Sequence, residues 1–132
     1  MQLQKIITVF LLLMAPLLAS AGGGQGAGYA PVDVEMTLRQ VSDHVYYVQG
    51  APGVATDNAG FISNAGVIVT GAGVVVFDAL GSPSLANKLL KKIRAITDEP
   101  IVRVVVSHYH ADHAWGNCFF PGATVIAMGG AS

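Results

Sequence analysis

VVVFDALGSPSLANKLLKKIRAITDEPIVRVVVSHYHADH, the stretch from Val74 to His113, decides the architecture. It opens with the continuous apolar run Val74–Phe77, as expected of a strand covered on both faces, and the run ends at Asp78. Ser82 and Pro83 then read as a helix N-cap followed by proline at the first helical position. Leu85, Leu89, Ile93 and Ile96 recur at helical spacing and form one apolar stripe over a helix of about 14 residues. Lys88, Lys91, Lys92 and Arg94 lie off that stripe, several toward the C-terminal end where the helix dipole favours cations. After Pro100 comes a second apolar strand, Ile101–Val106. Strand, helix and strand make a βαβ unit, which implies a parallel pair joined by a right-handed crossover. Sites in such sheets collect beyond the carboxyl ends of the strands. One of these ends delivers Asp78 and the other delivers Ser107-His108-Tyr109-His110-Ala111-Asp112-His113.

Toward the N-terminus, Thr70-Gly71-Ala72-Gly73 supplies the glycines of a tight hairpin. Before it lie two expected strands, Phe61–Ser63 and Gly66–Val69, with Asn64-Ala65 as a bulge or turn between them. His44–Gln49 is a further strand candidate, β-branched and aromatic, bounded by Gly50 and Pro52. Residues 22–37 begin with GGGQGAGYA and read as a flexible Gly/Ala-rich leader. Residues 1–21 combine a cationic start at Lys5, an apolar run from Ile6 to Leu18 and Ala19-Ser20-Ala21, the layout of a signal peptide cleaved after Ala21. The apolar run is shorter than the ~20 residues a bilayer span requires. The expected locale is therefore secreted or periplasmic, with no stable membrane insertion after cleavage.

At 132 residues the chain suits one domain, here 38–132. Seven basic and eight acidic residues give a net charge of −1, which argues against a nucleic-acid partner. The four cations of the helix read as a solvated face, because no aromatic residues interleave with them. A single cysteine, Cys118, rules out an internal disulfide and any multi-cysteine zinc site.

The chemistry concentrates in residues 108–113, which hold three of the four histidines and a carboxylate. Imidazole and carboxylate are ordinary ligands for zinc and related ions. On a helix His108 and His110 would lie about 200° apart and could not share an ion. In extended chain they face one side and can converge on a single metal. Asp112 and His113 suit a second ion, or one of them binds metal and the other supports it. A pair of ions about 3.5–4 Å apart would accommodate all four side chains.

The run His108-Tyr109-His110-Ala111-Asp112-His113 resembles the metal signature of the metallo-β-lactamase superfamily. Val76-Phe77-Asp78 and Asn58-Ala59-Gly60-Phe61-Ile62 are similar to other segments of that family, so the likeness spans about residues 38–128. Within the superfamily the chain most resembles exported metallohydrolases of the sulfur-oxidation and quinoprotein-associated type. The resemblance implies an α/β fold of α+β sandwich type, of which this chain would be the N-terminal half. It implies His108 and His110 as ligands of one metal, Asp112 and His113 as ligands of another, and zinc as the metal, with iron and manganese also suited to the set. A metal-bound hydroxide would attack an ester, thioester or amide-type bond of a small-molecule substrate, with Asp112 orienting it and accepting its proton. Asp78 matches the carboxylate that fixes the motif loop, while the residues alone equally allow a strand-end cap of the following turn.

The family also takes two further histidines and a bridging aspartate from later in the chain, and no histidine or acidic residue follows His113. The expectation is a truncated hydrolase, inactive alone, with an apolar sheet face left uncovered. A non-catalytic exported metal-binding or interaction module is the other reading. His44 matches no ligand position and reads as a strand or surface histidine. Cys118 reads as a small buried thiol, Trp115 as packed at the site rim or core, and Tyr109 as pointing away from the metals.

Overall fold

The computed structural model describes residues 28–129. The signal-peptide segment 1–21, its expected cleavage point and residues 22–27 of the leader lie outside the described residues. Six strands form one sheet in the order β1 (Arg39–Ser42), β2 (Val45–Val48), β3 (Ala65–Val69), β4 (Val74–Phe77), β5 (Ile101–Val105) and β6 (Thr124–Ile126). The first four run antiparallel to their neighbours, whereas β4, β5 and β6 are parallel. Among the described residues no helix is long and apolar enough to cross a membrane.

The helix α1 spans Pro83–Arg94. The Ser82 side chain accepts a hydrogen bond from the Leu85 N–H at 3.2 Å and so caps one of the free donors of the first turn. Leu85, Leu89 and Ile93 are fully buried. Ile96 departs from the expected stripe: the helix ends at the Ala95 cap, and Ile96 lies beyond it, 43% exposed. The guanidinium of Arg94 folds back onto the Glu99 carbonyl oxygen at 2.6 Å, which closes the turn that ends the helix.

Helix α1 shares one core with the sheet positions Val48, Val67, Val74, Val76 and Val104. The same registers place Ile68, Phe77 and Ile126 in the alternating positions of the other face, and all three are exposed. The expectation that β4 is covered on both faces is therefore corrected, since Val74 and Val76 are buried but Phe77 is 44% exposed. A parallel pair does not ensure two covered faces when the helical layer sits on one side.

The β3–β4 hairpin turns where the glycines lie, with Gly71 at φ 79° and Gly73 at φ 138°. The Glu99 carboxylate accepts the Gly71 and Gly73 N–H groups at 3.1 and 2.9 Å, tying this turn to the entrance of β5. Phe61–Ser63 is not a strand. Asn58 and Gly60 carbonyls accept from Phe61 and Ile62, so this segment is spent in turns. The flexible leader is also corrected in part. Val32, Val34, Met36 and Leu38 alternate toward the core, and Met36 is only 2% exposed. Apolar residues at period two give that stretch a packed face.

Candidate metal centre

The site forms where β4 and β5 end side by side. Asp78 follows β4, and Ser107 begins the loop just past β5. His110 is extended (φ −63°, ψ 142°) and caps the short helix α2, Ala111–Ala114. A 3-10 turn, Trp115–Phe119, follows and packs on α1. His108 lies in the bend that follows β5 and His110 in extended chain at the start of α2, and the turn into α2 redirects Asp112 and His113.

Asp78 holds this loop from a left-handed backbone, φ 62°. Its carboxylate accepts the Ser107 N–H at 2.7 Å and the Ser107 hydroxyl at 2.7 Å, and pairs with His113 Nδ1 at 2.8 Å. The side chain is directed at the histidine-rich loop rather than at the turn that follows it.

Other contacts clamp the same loop. The Ala79 N–H donates to the His113 carbonyl and the Gly116 N–H to the Leu80 carbonyl. Leu80 is left-handed as well, φ 67°. A Cβ on Gly116 would collide with the Ala79 carbonyl and sit 2.9 Å from the Ala86 methyl, so only glycine permits this approach. Ser63, 5% exposed, donates its hydroxyl to the Asp112 carbonyl. Sequence reasoning assigned no role to Ser63 or Ser107; a hydroxyl bonded across 49 residues leaves no local pattern to read.

The four motif side chains converge in two adjoining pairs. His108 Nε2 lies 3.1 Å from His110 Nδ1, and Asp112 Oδ2 lies 3.3 Å from His113 Nε2. The His108 and His113 rings are 4.1 Å apart, which places the pairs next to each other. Two donors held 2.0–2.1 Å from a tetrahedral zinc ion lie about 3.3–3.4 Å apart, close to both spacings. Among the described residues no three such side chains converge on one ion position.

The Asp112–His113 pair is the more telling one. With the Asp78 carboxylate accepting from His113 Nδ1–H, the neutral ring carries its lone pair on Nε2, which faces a carboxylate oxygen. Two acceptors at that distance repel unless a proton or a cation lies between them. A divalent metal fits this pair of donors, as a shared proton does.

The remaining candidates stand around this centre. Tyr109 is 71% exposed, its ring 4.8 Å from that of His110. Trp115 is exposed and not part of the core. Cys118 is exposed too, contrary to the buried thiol expected, because the 3-10 turn leaves its side chain on the outer surface. His44 sits exposed at the β1–β2 turn, remote in sequence from the motif.

The metallo-beta-lactamase superfamily model matches residues 58–127. Among solved structures, the chain is similar to the stereoselective inverting sec-alkylsulfatase Pisa1 from Pseudomonas sp., at 29% identity and TM-score 0.52, over 64% of this chain and 12% of that one. It is similar in fold to the metallo-beta-lactamase FIM-1 from Pseudomonas aeruginosa in its mono-zinc form, at 21% identity and TM-score 0.61, over 76% of this chain and 45% of that one. TMB-1 matches at 22% identity and TM-score 0.57, over 71% of this chain and 43% of that one. The chain spans less than half the length of each of these structures.

Proposed function

Because this chain belongs to the metallo-beta-lactamase superfamily, we propose that it serves metal-dependent hydrolysis of an ester, thioester or amide-type bond in a small molecule. The acceptor pair Asp112 Oδ2 and His113 Nε2, 3.3 Å apart, is the observation that carries the reading. His108 and His110 would hold one cation and Asp112 and His113 the other, with zinc the metal best suited to the set. Divalent cations at such a site make water nucleophilic near neutral pH and stabilise developing oxyanion charge. Asp112, one-third exposed, would orient an incoming water and accept its proton. Asp78 holds the loop and contacts His113 Nδ1, which would leave Nε2 for the ion.

Among the described residues each cation would meet two donors. The second reading is a non-catalytic metal-binding module with readily exchanged ions. Zinc-supplemented assays of the purified chain on chromogenic ester, thioester and β-lactam substrates separate the two. Turnover abolished by His110→Ala supports the hydrolase. Zinc binding without turnover supports the module, and neither binding nor turnover overturns both. The layout of residues 1–21 further supports export and cleavage after Ala21, which N-terminal sequencing of the mature protein tests.

A further inference from the structure

Ser107 touches both the Asp78 carboxylate and a motif imidazole. Its hydroxyl donates to Asp78 Oδ2 at 2.7 Å, and the same oxygen lies 2.9 Å from His108 Nδ1. A serine hydroxyl has one proton and two lone pairs. With the proton directed at the carboxylate, the stronger acceptor, the hydroxyl can meet His108 only as an acceptor. His108 Nδ1 must then carry a hydrogen, which leaves the lone pair of the neutral ring on Nε2. That is the atom 3.1 Å from His110 Nδ1.

We infer that Ser107 is a positioning residue that relays the Asp78 carboxylate to His108 and so fixes the tautomer offering Nε2 to a cation. The inference rests on the metal-site reading proposed above. One buried carboxylate then orients two imidazoles, His113 by direct contact and His108 through a hydroxyl. The supporting hydrogen bond a metal-bound histidine usually makes to a carboxylate is here made through one intermediate.

The test is long-range 1H–15N correlation spectroscopy of the histidine rings in the full, chelator-treated chain at mildly alkaline pH. His108 is expected with a protonated Nδ1 and a bare Nε2, both in the unaltered chain and in Ser107→Thr, which keeps the hydroxyl. Ser107→Ala is expected to move His108 toward the Nε2–H form and to weaken zinc binding about tenfold to a hundredfold in chelator competition. An Nε2–H ring in the unaltered chain, or a tautomer unmoved by Ser107→Ala, would overturn the inference. The first readout needs no variant to fold. An Nδ1–H ring in a chain that binds no zinc would sink the metal reading while leaving the relay standing.

Discussion

Asp78 Oδ2 and His113 Nδ1 meet at 2.8 Å across 35 residues of chain, with Asp78 held at φ 62° to make the contact. Aspartate is among the few non-glycine residues that enter this region readily, and functional sites are where such backbone conformations cluster. Asparagine tolerates the same backbone, so Asp78→Asn removes the charge with little added strain. An amide would set an N–H against one of the three donors that Asp78 now receives. Zinc affinity is expected to fall about tenfold to a hundredfold with the far-UV circular dichroism spectrum unchanged. Chelator competition measures the first, and an unchanged affinity would remove Asp78 from the site.

The two donor pairs make a prediction about stoichiometry. His110→Ala breaks the His108–His110 pair and leaves Asp112 and His113 facing each other, while His113→Ala does the reverse. Each variant is expected to lose one equivalent of bound zinc in equilibrium dialysis at saturating metal. A single equivalent in the unaltered chain, lost from either variant, would show one shared site in place of two adjoining ones.

Gly116 is fixed by contact rather than by φ. Its missing side chain admits the Ala79 carbonyl and the Ala86 methyl, and its N–H donates to Leu80. Gly116→Ala is expected to destabilise the fold by about 1–3 kcal/mol, the usual range for overpacking a filled interior. A lowered urea midpoint checks this. A midpoint equal to that of the unaltered chain would mean the loop yields freely.

Phe77, Ile68 and Ile126 stand exposed on the sheet face opposite α1. Contiguous apolar surface of this kind drives self-association. Phe77→Lys is therefore expected to raise the concentration at which light scattering first increases, with thermal stability nearly unchanged. A scattering onset that does not move would show that association proceeds elsewhere, for instance through a strand edge.

The parts of the fold legible in sequence were those written in local periodicity and capping. Ser82-Pro83 with Leu85, Leu89 and Ile93 marks α1, and the flanking valine runs mark β4 and β5. Strands β1 and β6 were not legible, because Arg39–Ser42 and Thr124–Ile126 are short edge segments without a buried face. The leader from Val32 onward was misread because a glycine-rich start hid the alternation that follows. Within the site, composition and spacing marked His108, His110, Asp112 and His113. The supports were harder to see: Ser63, Ser107 and Gly116 act through tertiary contacts on ordinary residues.

The parallel half of the sheet sets the order in which the centre can be completed. Asp78 and Ser107 are 29 residues apart, with all of α1 between them, so neither can find the other until the crossover has docked. The β1–β2 and β3–β4 hairpins need only short-range closure and are free to assemble earlier. Any ion that prefers the closed arrangement over the open chain draws the equilibrium toward it by mass action. Metal occupancy at this sheet end, if the proposed centre forms, would gauge how far the second half of the chain has come to rest.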